Sequence, residues 1–303
     1  MKATAGTWDK ARWPLYFMAA DLGTLSHASL SPTDNLLVAV NELADDGSRG
    51  LIERLLEGGR KIFLDSGVYW LATQHAEADG LSMDQALGLA PEKIDGFAAL
   101  FESYVEMATR YEPNLWGYIE IDQGGRENKT RTRARLEAMG LRPIPVYHPF
   151  NDGWDYFDEL AGQYDRICLG NVVMASPEQR KRLLATMWER RRDYPGLWIH
   201  ALGLTPSELN LAYPMQSCDS STWISGVRWG QHTVSAAAQP MGHLTKGFVY
   251  SRDKQPDDER GHIKARKLAG YDAIMLGRTL RNIKSDVTEE LEADVGLFAQ
   301  HHG

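Results

Sequence analysis

The sequence lacks any run of about 20 uninterrupted apolar residues, the length that a membrane-spanning helix requires. The N-terminal segment MKATAGTWDKARW has no apolar stretch after its first lysine, so we expect no signal peptide. Cysteine is scarce: Cys168 and Cys218 cannot form a disulfide framework or a four-cysteine zinc site. Both lie in apolar runs, as small buried residues do. We therefore expect a protein of the reducing cytoplasm that binds no membrane, metal or cofactor.

Two kinds of local signal are also missing. The chain has neither a G-x-G-x-x-G turn nor a Walker-type phosphate loop, which disfavours an open-sheet nucleotide-binding fold. It has no low-complexity linker and no internal repeat, and its length suits two ordinary domains or one large barrel. We therefore expect a single domain over residues 1–303.

Positive charge is in deficit overall, with a formal net charge of −8 and a pI near 5.6. This balance argues against a protein that coats nucleic acid, since phosphate binding needs concentrated Lys and Arg. The basic residues are nevertheless clustered, in segments 125–142 and 178–194. We predict that the first cluster contacts phosphates through Arg126, Lys129, Arg131, Arg133 and Arg135. The alternative is a solvated helix face.

Short apolar runs are plentiful, and each ends in a polar residue or glycine before a helix-like segment. The runs are KIFLD, LWGYIEID, RPIPVYH, RICLGN, LWIHALG and MQSCD. Continuous apolar runs without alternation are typical of strands that are buried on both faces. Ser176-Pro177-Glu178 and Pro91 mark two helix starts between them. The pattern predicts a parallel α/β domain.

With at least six such units, a (β/α)8 TIM-type barrel is favoured over an open sheet. We place its eighth strand between residues 226 and 250. Helices that pack around the barrel are expected beyond residue 250, with a late strand at 273–276 as the alternative.

The functional face of such a barrel lies at the carboxyl ends of its strands. The residues at those ends are therefore candidates for the site: Asp65, Asp122, His148, Gly170, Asn171, His200 and Asp219. A single strand-end carboxylate is often only a helix cap. Three carboxylates at one mouth shift one another's pKa values, and this separates an ionised nucleophile from a protonated acid.

Several of these segments resemble tRNA-guanine transglycosylases. LDSGVYW is similar to the DSGG-aromatic motif of that family, and IEID, PVYH, CLGN and SCDSSTWISGVRWG follow in family order over residues 60–250. The resemblance implies a barrel enzyme that replaces a guanine with a 7-deazaguanine. It implies that Asp219 is the nucleophile, Asp65 the general acid and base, and Tyr69 the aromatic that stacks on the base. Asp122 would read the base edge and Gly170 would form the glycine turn.

Departures from the family pattern point to one branch of it. Val68 and Asn171 stand where the family has glycines, and His148 stands where it has a glutamine. The chain also has too few cysteines for the zinc site of the tRNA enzymes, and at 303 residues it leaves no room for their appended RNA-binding domain. These absences resemble the bacterial and phage 7-deazaguanine DNA transglycosylases. The implied partners are double-stranded DNA and a free 7-deazaguanine base of the preQ0 kind. The implied location is the cytoplasm, that of the bacterial host if the gene is phage-encoded.

The resemblance implies that side-group specificity depends on the surroundings of His148, Asn171 and His200. Ser220 and Ser221 are expected to donate hydrogen bonds to Asp219, and Trp223 to exclude water. Three alternatives stay open: base exchange in RNA, a small-molecule lyase or hydrolase that uses the same carboxylates, and a non-catalytic nucleic-acid-binding barrel.

Overall fold

The computed structural model describes residues 15–20, 35–172, 175–204, 213, 215–221, 231–234 and 248–251. The first eight strands are β1 (Leu15–Ala20), β2 (Asn35–Ala39), β3 (Lys61–Asp65), β4 (Gly117–Tyr118), β5 (Val146–Tyr147), β6 (Arg166–Leu169), β7 (Trp198–Ala201) and β8 (Ser217–Ser220). The α-helices are α1 (Asp46–Glu57), α2 (Val68–Asp79), α3 (Met83–Gly88), α4 (Phe97–Tyr111), α5 (Gly125–Ala138), α6 (Trp154–Gln163) and α7 (Pro177–Arg190).

The eight strands form one curled, all-parallel sheet in the order β4-β3-β2-β1-β8-β7-β6-β5. Strands that follow one another in the chain are neighbours, except β4 and β5, which are the two edges of the sheet. Strand β1 also pairs with β8, with Phe17 opposite Asp219. Helices connect most successive strands, as parallel pairing requires. The prediction of a parallel α/β fold is confirmed.

The edge strands β4 and β5 meet through a narrow seam, which we define as residues 117–120 and 144–147. A single parallel bridge pairs Ile119 with Ile144. The Ile144 amide donates to the Tyr118 carbonyl at 2.8 Å, and the Glu120 amide donates to the Ile144 carbonyl at 3.0 Å. The Glu120 carboxylate then accepts the Val146 amide at 2.6 Å. A side chain thus provides the pairing that the short strands lack.

Apolar side chains fill both faces of the sheet. The concave interior holds Phe17, Leu37, Phe63, Ile119, Ile144, Val146 and Cys168. A larger cluster packs between the convex face and the helices, and it includes Met18, Leu36, Leu64, Leu169 and Cys218. Neighbours in one strand, such as Phe17 and Met18, belong to different clusters because successive strand side chains point to opposite faces. Burial on both faces explains why these strands are continuous apolar runs.

The helix starts agree with the sequence in part. Ser176 caps α7 with a reciprocal capping box to Gln179, as the Ser-Pro-Glu segment predicts. Pro91 instead begins a short 3-10 helix, Pro91–Lys93, and α4 starts only at Phe97. Among the described residues, no helix combines the length and apolarity that a membrane crossing needs.

The sheet has the expected eight strands, but the assignment of segments to strands was wrong at both ends of the chain. LYFMAA and NLLVA form β1 and β2, which were not among the apolar runs recognised as strands, so the strand that ends near Asp219 is the eighth of the sheet. Strands β9 (Gln231–Val234) and β10 (Phe248–Ser251) do fall near the predicted eighth strand, but they pair antiparallel in a separate sheet. The expected C-terminal helices lie outside the described residues.

Candidate functional site

A cavity of about 470 Å³ lies at the carboxyl ends of the parallel strands. Its lining comprises Ala19, Leu37, Asp65, Ser66, Tyr69, Leu87, Ile119, Asp122, His148, Gly170, Asn171, Leu202, Gly203, Asp219, Ser220 and Ser221. Seven of the eight residues that were predicted as catalytic or substrate-binding are in this lining, and His200 is the exception. The sequence therefore located the residues of one cavity from five separate segments.

Strand alternation brings these residues together. Asp65 follows Phe63 by two positions, and His148 follows Val146 in the same way. Phe63 and Val146 belong to the interior cluster, and side chains two apart in a strand share a face. Each strand thus contributes an apolar residue to the floor and a residue to the cavity above it.

Asp65 ends β3, where the chain turns sharply into α2. Burial raises the pKa of Asp65 to about 7, and the charges of Asp122 and Asp219 add to the effect. The backbone N–H groups of Ser66 and Gly67 oppose it. Gly67 has a φ of 77°, a left-handed conformation that glycine adopts without strain. The site therefore keeps a carboxyl group that takes up and releases a proton near neutral pH.

Asp219 lies in β8 and is 6% exposed. Its Oδ1 accepts the Gly203 amide at 2.9 Å, and it lies 3.1 Å from Nε2 of His200. Both contacts hold the same oxygen, so the direction of the carboxylate is set by the β7 strand and the turn that follows it. Ser220 and Ser221 line the same cavity. Trp223, which was expected to exclude water, lies outside the described residues.

His200 requires a correction, since it was predicted to bind substrate. Its side chain is 1% exposed and lies beneath the cavity. One ring nitrogen faces Asp219, and the other lies 2.8 Å from the Ser217 hydroxyl. Phe17 and Phe63 pack edge-on against the ring, with centroids 5.7 and 4.8 Å away. His200 contacts the carboxylate of Asp219 rather than the cavity.

Asp122 and His148 form a second polar pair, in which the His148 Nε2 lies 3.0 Å from the Asp122 Oδ2. Burial alone raises the pKa of Asp122, but the bond and charge of His148 and the charge of Lys129 hold it below its ordinary value. The pair therefore presents an ionised acceptor beside a ring nitrogen. Such a set can bind a ligand edge that carries donors.

A buried ion pair between Lys129 and Asp152 holds the backbone of His148 in place. The Lys129 ammonium donates to the Asp152 carboxylate at 2.6 Å and to the Val146 carbonyl at 3.0 Å. The same Asp152 oxygen accepts the His148 amide at 2.9 Å. Lys129 is fully buried, so the turn after β5 is held on both sides.

Gly170 leaves the space that His148 occupies. A Cβ atom at this position would lie 2.5 Å from Cδ2 and 2.7 Å from Nε2 of the imidazole. The next residue, Asn171, has a φ of 59°, in the left-handed region that asparagine tolerates better than most residues. The predicted glycine turn is therefore present, and asparagine takes the left-handed position in it.

Three exposed aromatic side chains lie near the carboxyl ends of β3 and β5. Tyr69 lines the cavity and is 63% exposed, and Trp70 beside it is 46% exposed. Phe150 is 49% exposed in the turn after β5, two residues from His148. An exposed ring at a cavity is available for stacking on a flat ligand.

The basic helix α5 is largely structural, which overturns part of the prediction. Lys129 and Arg133 are buried, at 0% and 3% exposure, and they cannot contact a phosphate at the surface. The Arg133 guanidinium donates to the Glu120 carboxylate at 2.7 Å. The two cations sit four residues apart on the inward face of α5 and fix the strand segment around Val146 from both sides.

The other three basic residues are exposed and have partners. Arg126 bonds to Asp155 and Glu159 at 2.7 and 2.6 Å. Arg131 bonds to Glu92 at 2.9 Å, and Arg135 lies over the Phe101 ring at 4.0 Å. Their predicted contact with phosphates stays a prediction.

No cluster of three or more potential metal ligands occurs within the described part of the chain. Comparison with protein-family models and with curated proteins gives no match. The resemblance to transglycosylases therefore depends on the motifs of this chain alone.

Sequence reasoning missed three residues of the site. The Gly203 amide binds Asp219, Ser217 binds His200, and the Trp198 indole donates to the Ser217 hydroxyl at 2.8 Å. Ser217 could have been found, because it lies two positions before Asp219 on the same face of a strand. Gly203 acts through its backbone, which leaves no side-chain signal.

Proposed function

We propose that the protein exchanges guanine in DNA for a 7-deazaguanine base through a covalent link between Asp219 and deoxyribose. The observation that carries the proposal is the convergence of Asp65, Asp122 and Asp219 on one cavity. Their surroundings differ: Asp65 has a pKa near 7, Asp122 a lowered pKa, and Asp219 a fixed direction. Carboxylates with divided roles suit displacement at a glycosidic carbon with retention.

Two displacements account for the exchange. In the first, an Asp219 oxygen bonds to C1′ while the bond from C1′ to guanine N9 breaks. The departing guanine keeps that electron pair and takes a proton from Asp65. In the second, the incoming base loses its N9 proton to Asp65, and N9 displaces Asp219 from C1′. The enzyme returns to its starting state.

The other residues that line the cavity would recognise the base. Guanine and 7-deazaguanine share an N1–H and a 2-amino group, which are donors that Asp122 can accept. Tyr69 offers an exposed ring that can stack on the base, since base–aromatic stacking is favourable for every base. His148 and Asn171 lie where they can contact substituents of the incoming base.

Double-stranded DNA is the proposed polymer substrate. A cavity at the end of the sheet cannot reach C1′ inside a duplex, so the target nucleotide must leave the base stack. Extrusion costs a few kcal/mol, which stacking and hydrogen bonds in the pocket must offset. The cavity volume of about 470 Å³ falls within the ordinary range for small-molecule sites.

We also propose that the curled sheet is the wall of a (β/α)8 barrel. Two observations support this: the strand order, in which β1 pairs with β8, and the bridge from Ile119 to Ile144 across the seam. Ligand sites of such barrels lie at the carboxyl ends of the strands, where this cavity is found.

Release of labelled guanine tests the function. The protein is incubated with preQ0 base and either duplex DNA or tRNA, each carrying radiolabelled guanine, with Asp219→Asn as the control. We expect release from DNA only, dependent on preQ0 and abolished in the control. Release from tRNA alone would assign the protein to RNA exchange. No release from either polymer would contradict base exchange altogether.

A further inference from the structure

Four side chains form a hydrogen-bonded line beneath the cavity. The Trp198 indole nitrogen lies 2.8 Å from the Ser217 hydroxyl, and that hydroxyl lies 2.8 Å from Nδ1 of His200. The His200 Nε2 lies 3.1 Å from the Asp219 Oδ1. Three of the four belong to adjacent strand positions, since His200 and Ser217 are register partners and Asp219 follows Ser217 by two. The line connects the interior of the sheet to the candidate nucleophile.

The direction of the hydrogen bonds follows from the chemistry of the groups. An indole N–H only donates, so the Ser217 oxygen accepts from Trp198. The single Ser217 hydroxyl hydrogen can then go to Nδ1 of His200, which must be unprotonated to accept it. The imidazole proton is left on Nε2, where it faces the Asp219 Oδ1. Each donor hydrogen in this line therefore has an acceptor when His200 is neutral and protonated on Nε2.

We propose that His200 is a positioning residue for Asp219, held in its Nε2–H tautomer by Ser217 and Trp198. It and the Gly203 amide both bind Oδ1, so Oδ2 is the oxygen that attacks C1′. The inference rests on the proposed function for the role of Asp219 as nucleophile, whereas the tautomer is a property of the free protein. His200 itself touches no substrate, because it is 1% exposed and absent from the cavity lining.

The packing of His200 makes the ring rigid. Phe17 and Phe63 contact it edge-on from the concave interior. Trp116 lies against both phenyl rings, at 4.8 and 4.9 Å between centroids, and against Trp198 at 5.6 Å. Aromatic packing therefore fixes the plane of the imidazole, and the hydrogen bonds fix which nitrogen carries the proton. Such rigidity matters because a displacement of a reacting group by about 1 Å can cost about a hundredfold in rate.

Two substitutions at His200 separate positioning from packing. His200→Phe keeps an aromatic ring between Phe17 and Phe63 but removes both nitrogens. His200→Gln keeps an N–H donor at a reach similar to Nε2. We expect the single-turnover rate of adduct formation on DNA to fall roughly a hundredfold in His200→Phe and less than about tenfold in His200→Gln. The dissociation constant for preQ0 base should stay within about twofold of wild type in both, since neither changes the cavity lining.

Cys218→Ala is the matched control. Cys218 is equally buried and lies between Ser217 and Asp219 on β8, but its side chain belongs to the cluster on the opposite face. This variant should react at nearly the wild-type rate. Equal losses in His200→Gln and His200→Phe, or no loss in His200→Phe, would overturn the proposal.

Nitrogen-15 NMR of the ring tests the tautomer without any reaction. The chain has nine histidines, and the signals absent from His200→Phe identify those of His200. We expect a protonated Nε2 and an unprotonated Nδ1 in the wild type, and a change in this pattern in Ser217→Ala. A proton on Nδ1, or on both nitrogens, would contradict the proposal. If the wild type forms no adduct, the proposed function fails, while this spectrum still decides whether the hydrogen-bonded line is as described.

Discussion

Asp65 and Asp219 are carboxylates of one cavity with different surroundings. Asp219 accepts a backbone amide and faces an imidazole, so its position is set by contacts with β7 and the turn after it. Asp65 is affected mainly by burial and by the two neighbouring carboxylates, and its pKa rises to about 7. A group with that pKa can both give and take a proton at neutral pH, which base exchange demands of a single residue.

The raised pKa of Asp65 predicts a pH-dependent effect on stability. The unfolded carboxyl ionises near 3.8 and the folded one near 7, so the native state binds more protons between these values. Wild-type stability therefore falls as pH rises through this window, whereas Asp65→Asn has no such loss. We expect the stability advantage of Asp65→Asn over wild type to grow by about 2–3 kcal/mol from pH 5 to pH 8. Urea unfolding at both pH values measures it, and an unchanged difference would show that Asp65 ionises normally.

Gly170 provides a test of the His148 position. In Gly170→Ala the new methyl group would overlap the imidazole, so the ring must shift from the position in which it contacts Asp122. We expect the affinity for preQ0 base, measured by calorimetry, to fall by about ten- to a hundredfold. This range corresponds to the free energy of one charge-assisted hydrogen bond. Gly162→Ala is the control, because it lies in α6 with nothing within 4 Å of the new Cβ, and it should bind normally. Unchanged affinity in Gly170→Ala would show that His148 does not contribute to base binding.

At the scale of elements, α5 shows how a basic helix can be part of a core. Its buried positions are Lys129, Thr132, Arg133 and Leu136, the i, i+3, i+4, i+7 pattern of an inward face. Two of the four are cations, so composition alone suggested a surface for phosphates. Their carboxylate partners, Asp152 and Glu120, are distant in the sequence, and only the folded chain reveals the pairs.

Two arginines of α5 should differ sharply in their effect on stability. Arg133→Met leaves the Glu120 carboxylate buried without its charged partner and should cost about 3–5 kcal/mol of unfolding free energy. Arg131→Met, two residues away, removes an ion pair whose side chains are 58% and 68% exposed, and should cost less than about 1 kcal/mol. Urea unfolding of both variants makes the comparison. Similar losses would contradict the structural role of Arg133.

The candidate site was largely predictable because strand-end residues of a parallel sheet meet at one edge. Asp65, Asp122, His148, Gly170 and Asp219 were found in this way. The role of His200 was not, since its ring nitrogens contact residues on the next strand and the direction of a side chain depends on the exact strand boundary. Strands β1 and β2 were missed although, at six and five residues, they are at least as long as β3, which was recognised.

At the scale of the whole molecule, the sheet is uneven in strength. Strands β2 and β3 pair over five register positions, whereas β4 and β5 meet at one bridge with help from the Glu120 side chain. Fewer backbone hydrogen bonds mean a smaller free energy of local opening. Opening at the seam would leave β1, β2, β3 and β8 paired.

Hydrogen exchange followed by mass spectrometry tests this difference. We expect peptides that cover the seam, residues 117–120 and 144–147, to exchange before those that cover 35–39 and 61–65. The order should be preserved in Asp219→Asn, which does not touch the seam. Exchange at equal rates in both regions would mean that the sheet opens as one cooperative unit.

Covalent capture of Asp219 on DNA tests the central proposal most directly. Wild-type protein is mixed with guanine-containing duplex DNA, denatured and digested, and the DNA-linked peptide is identified by mass spectrometry. We predict a deoxyribose adduct on Asp219, discharged by added preQ0 base, and no adduct in Asp219→Asn, which keeps the size of the side chain but not its nucleophile. A DNA-linked peptide of undiminished yield in Asp219→Asn would contradict the account and transfer the nucleophile role to Asp65 or Asp122.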